Sequence, residues 1–437
     1  MGRRGLYLSW LVFSGLLGGA NAIAQVDPQT RTLGNIALVN GQWFNGTDFE
    51  RKTFYSIDGR FSLTKPKRVD RTLDLNNLWI VPPFAEGHNH DIGQGTEAMQ
   101  RAAVEKYLKA GVFYVLIAGN IPLTNEEKQR LKLNSPASVD AKFANGQLIS
   151  HDGVTVSFAK SFLIPRGYAP GHTEESLRDL RYFEVDTDSE LETKWPLILS
   201  FQPDFIKVIL NYSDQHEHWK NDPAYHNQRG LDPKLVAAVV TKAKAVKLPT
   251  LAHTLNAHDF HIAVTSGVDI VVHFPVLLLR ESKDKQEVCI PIDPRDAQLA
   301  AQKNIAVVTT TALMFRAPPP PERKSVLDNC EQLQKEGLRL LHEAGVVIAI
   351  GSDVPSDSSV EEFNYLRSLN VFDNITLLKM WVENTPKMIF PNRKLGKLAE
   401  GYEASFLALE GNPLEDLDNV CKITMRFKQG KLLENNW

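Results

Sequence analysis

Glu86-Gly87-His88-Asn89-His90-Asp91 follows directly after the apolar run Leu78-Trp79-Ile80-Val81-Pro82-Pro83-Phe84. The run has the length and the β-branched content of a buried strand, so the two histidines are predicted where a strand ends. Because side chains alternate between the faces of a strand, His88 and His90 project to the same side. Two neutral imidazoles that converge in this way suit a divalent cation such as zinc. The same spacing also occurs by chance on solvated loops, so a metal site requires further ligands from elsewhere in the chain.

The chain beyond this stretch alternates apolar strands with helical segments. Helices are predicted over 97–110, 231–246, 257–266, 296–303, 330–343 and 375–388, and strands over 112–118, 154–164, 205–210, 250–253, 268–273, 305–311 and 346–350. With the strand before His88 this gives eight strands, mostly separated by helices. The pattern indicates an α/β protein with a closed parallel (β/α)8 TIM-like barrel, although an open doubly wound sheet has the same local signature.

Both ends of the chain have a different character. Short alternating segments over 35–38, 53–57 and 69–73, with a hairpin turn at Asp58-Gly59, precede the barrel, and predicted strands over 396–400, 405–409 and 423–429 follow it. We therefore expect a small β-sandwich built from both chain ends, with the barrel inserted between them. The predicted boundaries are 25–82 and 390–437 for the two parts of the sandwich and 83–389 for the barrel.

The first residues resemble an export signal. Arg3 and Arg4 precede an apolar core over 6–17, and small residues then suggest cleavage after Ala22 or Ala24. A retained membrane anchor is the alternative, but the apolar core is shorter than the roughly 20 residues that a span requires. The expectation is a signal peptide over 1–24, a periplasmic or secreted protein, and no stable membrane span after processing.

Composition excludes several classes of protein. The chain has 437 residues, of which 43% are hydrophobic, enough for a sizeable core, and its net charge of -3 offers no basic surface for nucleic acid. Its three cysteines, Cys289, Cys330 and Cys421, are widely spaced, so at most one disulfide can form and no cysteine metal site is indicated.

Further metal-binding groups occur at or near the ends of later predicted strands. Lys207 lies in an apolar strand, His253 and His273 end two consecutive strands, and Asp353 follows the eighth. A buried lysine must find a partner or lose its charge, and the neutral amine can act as a nucleophile or form a carbamate with carbon dioxide. A lysine that reaches solvent, two satisfied core histidines and a helix-capping aspartate are the alternatives. The shared strand ends favour an active site, because barrel enzymes place theirs there.

The order of these residues resembles the amidohydrolase superfamily, specifically its imidazolonepropionase-like and Xaa-Pro dipeptidase-like branch. The returning β-unit adds to the resemblance through Leu395-Gly396-Lys397-Leu398, Glu400-Gly401-Tyr402-Glu403-Ala404-Ser405 and Glu410-Gly411-Asn412-Pro413-Leu414. The resemblance covers nearly the whole chain after the signal. It implies a (β/α)8 barrel that carries one or two divalent metals, usually zinc.

The resemblance also implies a role for each residue. His88 and His90 would bind the more buried metal, a carboxylated Lys207 would bridge to a second, and His253 and His273 would bind that second metal. Asp353 would touch the first metal and serve as the catalytic acid and base.

Two departures from the family pattern qualify the resemblance. Glu86 stands where the family usually has an aspartate, so the support of the metal site is expected to differ. Asn256 occupies the position where deaminases of the family commonly carry a glutamate, which argues against deamination. Among loop residues, His172 and Tyr212 are the candidate substrate contacts.

The sequence thus predicts an exported metal-dependent hydrolase that cleaves an amide-type C–N bond in a small molecule, either a dipeptide with a C-terminal carboxylate or a cyclic amide. An esterase, lactonase or phosphoesterase on the same fold is one alternative, and a metal-holding binding protein without turnover is another. The oligomeric state, including a homo-oligomer, is left open by the sequence.

Overall fold

The computed structural model describes residues 34–275, 289–312, 324–354 and 357–433. The predicted signal peptide over 1–24 lies outside the described residues. No helix within the described ranges is long and apolar enough to cross a membrane.

The strands are β1 (Ile36–Phe44), β2 (Phe49–Ile57), β3 (Arg60–Ser62), β4 (Arg71–Asp74), β5 (Trp79–Val81), β6 (Phe84–Asn89), β7 (Val112–Ile117), β8 (Asp140–Phe143), β9 (Leu148–Ile149), β10 (Phe183–Glu184), β11 (Ile206–Ile209), β12 (Thr250–His253), β13 (Ile270–Val272), β14 (Ala306–Val308), β15 (Ile348–Ala349), β16 (Phe406–Leu409), β17 (Ile423–Lys428) and β18 (Lys431–Leu432). The α-helices are α1 (Glu97–Lys109), α2 (Asn125–Arg130), α3 (Val154–Phe158), α4 (Glu174–Leu177), α5 (Asp188–Ser200), α6 (His216–Trp219), α7 (Val236–Ala245), α8 (Ala257–Ser266), α9 (Pro294–Gln302), α10 (Lys324–Glu343), α11 (Ser359–Ser368), α12 (Asn374–Lys379) and α13 (Thr385–Ile389).

Strands from both ends of the chain form one sheet, as predicted. Its order is β18-β17-β16-β5-β1-β2-β3, with β4 beside β1. The turn between β2 and β3 is the predicted one, because Asp58 and Gly59 both have positive φ angles, 49° and 72°, as a two-residue hairpin turn requires. The core of this sheet is aromatic, and the rings of Phe54 and Phe406 lie 4.7 Å and 5.5 Å from that of Trp43.

The strand predicted over 396–400 is wrong. These residues form bends and turns, and the sheet resumes only at β16. Gly396 and Gly401 have φ angles of 79° and 75°, a left-handed conformation that interrupts an extended strand at both ends of the segment.

The remaining strands form two parallel sheets. One has the order β6-β7-β8, and the other has the order β10-β9-β11-β12-β13-β14-β15. Backbone hydrogen bonds connect them at both sides: Gly87 N donates to Ile350 O at 2.8 Å, and Asp204 N donates to Phe143 O at 2.9 Å. All strand pairs within these sheets are parallel, so their carboxyl ends lie on one side.

The apolar run before His88 is divided between two sheets. β5 pairs with β1 and β16, whereas β6 pairs with β7. Pro82 and Pro83 separate the two strands, because proline has no N–H to donate to a ladder. The prediction of a strand leading to the histidines is thus confirmed, but as two strands and not one.

The strand predicted over 154–164 is also wrong. Val154–Phe158 is α3, and a single π-helical turn over Ala159–Leu163 follows it. Val156, Ala159 and Leu163 are buried at helical spacing and form a small cluster with Tyr182 and Ile209. The third strand position is taken instead by β8 and β9, two short pieces that precede α3. By contrast, α8 has the predicted bounds and begins with a capping box between Asn256 and Asp259.

One disulfide joins Cys289 and Cys330, whose Cα atoms lie 5.3 Å apart. It agrees with the prediction of at most one disulfide. Cys421 is a free, exposed cysteine.

A buried ion-pair network connects the antiparallel sheet to β8. The Asp140 carboxylate accepts hydrogen bonds from Nζ of Lys428 at 2.6 Å and from Nη2 of Arg393 at 2.7 Å. The side chains of Asp140 and Lys428 are 1% and 0% exposed. Lys428 also donates to the backbone carbonyl of Ser135 at 2.7 Å. This buried ammonium therefore depends on Asp140 for its counter-charge.

We expect Asp140→Asn to lower the free energy of unfolding by roughly 3–5 kcal/mol, because it leaves a buried charge without compensation. Thermal and urea denaturation followed by circular dichroism would measure the loss. Asp418→Asn is a matched control, since Asp418 pairs with Arg367 at the surface and should change the melting temperature little. Equal shifts in the two variants would contradict the role given to Asp140.

Candidate metal centre

His88 is the last residue but one of β6 and is almost fully buried. The backbone of β6 passes very close to the segment after β15. A Cβ atom added at Gly87 would stand only 2.8 Å from the carbonyl oxygen of Ile350. Only glycine fits this approach without a shift of the backbone. His90 follows the end of β6, and its Nδ1 lies 2.8 Å from the carbonyl oxygen of Gly119. That contact fixes the ring and leaves Nε2 for the cavity.

Asp353 meets both of these histidines. Its Oδ1 lies 3.3 Å from Nε2 of His88 and 3.2 Å from Nε2 of His90. The three residues offer ligand atoms that all lie within 4.8 Å of one another. Asp353 has a φ of 51°, and its N–H donates to the carbonyl of His88 at 2.9 Å. The left-handed bend thus points the carboxylate back over β6.

His253 and His273 stand at the ends of β12 and β13 on the same side. Their ring centres are 4.3 Å apart, and the ring of His273 lies 4.7 Å from that of His88. Nδ1 of His273 lies 2.7 Å from Oγ1 of Thr310 and 3.8 Å from Oδ2 of Asp353. The four imidazoles and the aspartate therefore form one continuous group.

Lys207 lies within β11, between the strands that carry the histidines. It is 2% exposed, and its Nζ has no hydrogen-bond partner among the described residues. Burial lowers the pKa of Lys207 to about 7, while the charge of Asp353 opposes this shift. A substantial fraction of the amine is therefore neutral near neutral pH.

Burial also keeps three of the histidines neutral. It lowers the pKa values of His88 and His253 to about 3, and it holds the pKa of His273 well below its usual value. Although burial opposes ionisation of Asp353, the neighbouring His88, His90 and His273 hold its pKa well below the usual range. The group thus combines neutral imidazoles with an ionised carboxylate, and among the described residues Nδ1 of His88 has no hydrogen-bond partner. These are the states in which such side chains bind cations.

Glu86 supports this group from behind. Its carboxylate accepts hydrogen bonds from the N–H of His88 at 3.1 Å and from the N–H and Oγ of Ser352 at 2.8 Å each. Burial raises the pKa of Glu86 to about 8, although the donated hydrogen bonds act in the opposite direction. Asn89 donates to Oγ of Ser352 at 2.9 Å and completes the contact between the two segments.

The group opens into a cavity of about 430 Å³. Its polar lining, besides the six residues above, consists of Asp91, Gln94, Gln147, Thr155 and Arg181. Its remaining wall is Val154, Phe158, Phe162, Leu163, Tyr168 and Ile209. A cavity of this size, largely apolar with a few convergent polar groups, has the character of a small-molecule site.

The structure brings together all six of the predicted metal-binding residues, since His88, His90, Lys207, His253, His273 and Asp353 line this cavity. It does not bring His172 and Tyr212 to the cavity lining. His172 contacts Ser176 at 3.2 Å outside the cavity, and Tyr212 is buried against Trp219 with ring centres 5.1 Å apart. Sequence reasoning does not find Arg181, Phe158 or Phe162, because the sequence predicts a strand where α3 lies and no local pattern marks a buried arginine.

The comparisons with known proteins agree on the fold. No family model matches the chain. A curated relative, ochratoxinase from Aspergillus niger, is 35% identical over 97 residues, which is 21% of this chain and 20% of the relative. The matched segment therefore spans about a fifth of the relative's length.

Solved structures match over nearly the whole chain. A crystal structure of an amidohydrolase superposes with a TM-score of 0.70 at 18% identity, covering 92% of this chain and 99% of the other. Ochratoxinase from A. niger gives a TM-score of 0.70 at 16% identity, covering 91% and 95% of the two chains. A Xaa-Pro dipeptidase with bound methionine in its active site gives a TM-score of 0.67 at 18% identity, covering 92% and 100%. The chain therefore has the fold of amidohydrolases and Xaa-Pro dipeptidases, and at the level of the fold the resemblance inferred from its sequence is confirmed.

Proposed function

We propose that this protein is a metal-dependent hydrolase that cleaves an amide-type C–N bond of a small molecule. The observation that carries the proposal is the convergence of four imidazoles, the Asp353 carboxylate and the unpartnered amine of Lys207 on one cavity. The fold neighbours described as an amidohydrolase, an ochratoxinase and a Xaa-Pro dipeptidase support this class of reaction.

The donor set fits zinc. His88 and His90 would hold a first cation together with Asp353, and His253 and His273 would hold a second. The unpartnered Nζ of Lys207 lines the same cavity, on the strand that pairs with β12, and its neutral form is the one that reacts with carbon dioxide to give a bridging carbamate. Imidazole and carboxylate ligands in this combination suit zinc better than calcium or magnesium.

Cations held at these positions would lower the pKa of a water molecule and polarise the scissile carbonyl. Asp353 would take the proton from that water, because its carboxylate is ionised and stands at the edge of the cavity with a side chain 20% exposed. It would then pass the proton to the leaving nitrogen. Glu86 would act as a positioning residue, since it fixes the backbone on which both His88 and Asp353 depend.

We also propose that the two parallel sheets form one closed (β/α)8 barrel, and that the sheet made from both chain ends folds over its own core as a β-sandwich. The hydrogen bonds from Gly87 to Ile350 and from Asp204 to Phe143 support closure, because they connect both edge strands of the three-stranded sheet, β6 and β8, to the segments after β15 and before β11. The division into 25–82, 83–389 and 390–437 follows from this proposal.

Export to the periplasm or the medium is part of the proposal. It rests on the apolar segment over 6–17 and the small residues that follow. The Cys289–Cys330 disulfide is consistent with it, since disulfides persist mainly in oxidising compartments. Fractionation of cells that express the full chain, with sequencing of the mature N-terminus, would test it.

Replacement of Asp353 by Asn should abolish hydrolysis while metal remains bound. We expect the turnover of amide substrates to fall by roughly 10²- to 10⁴-fold, because the amide cannot accept the proton from water. The assay would use a panel of small amides, esters and phosphoesters with the zinc-loaded protein, and metal content would be measured in parallel. Asp418→Asn, at the surface, is the control. Unchanged amide turnover would refute the role of Asp353. Hydrolysis of esters alone by the wild-type protein would refute the proposed cleavage of amides.

Replacement of Lys207 by Met should reduce the number of zinc ions bound. The variant keeps the length and burial of the side chain but cannot form a carbamate, so the second cation loses its bridging ligand. Elemental analysis after loading with zinc and bicarbonate would measure the stoichiometry. Lys142→Met is the matched control, because Lys142 pairs with Asp204 at 2.6 Å and does not line the cavity. Equal zinc content in all three proteins would contradict the proposed bridge.

A further inference from the structure

Arg181 is a buried charge without a counter-charge in the wall of the cavity. The residue is 2% exposed, and its Nε and Nη1 have no hydrogen-bond partner among the residues that the structure describes. Burial lowers the pKa of Arg181 to about 10, so the guanidinium remains charged at neutral pH. Buried charges in proteins are normally paired, and this one faces the cavity instead.

Arg178 and Arg229 differ from Arg181 in that their terminal nitrogens have acceptors, although the buried Nε of each also lacks a hydrogen-bond partner among the described residues. Arg178 pairs with Glu184, and Arg229 donates to the backbone carbonyls of Lys220 and His151 at 3.0 Å and 2.8 Å. No described carboxylate lies within 4.0 Å of the Arg181 guanidinium. The local acidic side chains are thus used elsewhere, and an anion that enters the cavity would meet a desolvated guanidinium.

The wall next to Arg181 is apolar and aromatic. Phe158 and Phe162 stack with ring centres 4.8 Å apart, and Phe162 stacks on Tyr168 at 5.7 Å. Val154 and Leu163 line the same side of the cavity. A ligand that places a carboxylate on Arg181 would therefore lay an apolar group against these rings.

Among the described residues, the cavity lining holds no uncommitted carboxylate that could serve as the counter-charge of a free ammonium group. Of its two carboxylates, Asp91 already receives Nζ of Lys106 at 2.6 Å, and Asp353 belongs to the candidate metal centre. A substrate with a positively charged amino terminus would lose its hydration there without a replacement. An amide whose nitrogen side carries a carboxylate, and whose acyl side is uncharged, fits better.

We propose that Arg181 is a specificity-determining residue that binds the carboxylate of the substrate, and that the substrate is an N-acylated amino acid with an apolar side chain. This inference rests on the proposed amide hydrolysis and names its substrate class. A guanidinium can bind a carboxylate through two parallel hydrogen bonds, and the surrounding low-polarity wall makes such a pair strong.

The test compares two substrates that differ only in the carboxylate, N-benzoyl-L-phenylalanine and N-benzoylphenethylamine. We expect zinc-loaded wild-type protein to favour the acid by roughly 10- to 100-fold in kcat/KM, the range of a charged hydrogen bond. In Arg181→Met this preference should fall to about 1, mainly through a higher KM. Arg181→Lys should recover part of it, since a lysine restores charge but not two-pronged geometry. Arg101→Met, an exposed arginine on α1, is the control and should keep the full preference.

A second substrate pair examines the acyl side. N-acetyl-L-phenylalanyl-L-phenylalanine should be cleaved faster than L-phenylalanyl-L-phenylalanine, which differs in its free ammonium group. Faster cleavage of the free dipeptide would overturn the assignment to N-acylated amino acids. An unchanged acid preference in Arg181→Met would overturn the role of Arg181.

A binding measurement separates this inference from the proposed reaction, because it needs no turnover. Calorimetry with 3-phenylpropanoate and with 3-phenylpropanol should show that the zinc-loaded protein binds the carboxylate more tightly, and that Arg181→Met loses this difference. Equal binding of 3-phenylpropanoate by the variant and by wild type would assign the anion to the metals and refute the inference. If no amide is hydrolysed but the calorimetric difference is found, the reaction fails while the carboxylate site stands. Thermal denaturation serves as a folding check, since removal of an unpaired buried charge should not lower the melting temperature.

Discussion

The buried carboxylate of Glu86 is the contact on which the rest of the site depends. It accepts hydrogen bonds from the N–H of His88 and from both the N–H and the hydroxyl of Ser352, a residue 266 positions away. Ser352 directly precedes Asp353, so the side chain of Glu86 fixes the backbone of His88 relative to the Asp353 carboxylate opposite it. A glutamate side chain is one methylene longer than the aspartate expected at this position, and here its carboxylate reaches the N–H and the hydroxyl of Ser352.

Much of the candidate site could be predicted because strands constrain their side chains in a simple way. His88 and His90 face one side because of alternation, and His253 and His273 stand together because β12 and β13 are consecutive and parallel. The segment after β9 was harder, since the run Val154-Thr155-Val156 favours a strand locally but is helical in the structure. Burial against Tyr182 and Ile209 decides between the two, and contacts of this kind cannot be read from neighbouring residues. Arg181 was missed for the same reason, because nothing in its immediate sequence indicates that it is buried.

Buried charges are treated differently in different parts of the molecule. Asp140, Lys428 and Arg393 satisfy one another where the antiparallel sheet meets β8. At the cavity, by contrast, Lys207 and Arg181 are buried with unpartnered nitrogens. The fold pairs its buried charges around Asp140 but leaves these nitrogens at the cavity without partners. We therefore interpret them as ligand-binding groups and not as packing defects.

The sheet built from both chain ends also has a consequence for how the protein acquires its structure. β5 lies between β1 and β16, so the first strands cannot complete their ladder before residues 406–409 have been synthesised. Such distant pairings slow folding, and this sheet stays incomplete in the nascent polypeptide until translation is nearly finished. Until then the edge of β5 that pairs with β16 is exposed, and the growing polypeptide would need protection from proteases and aggregation during that interval.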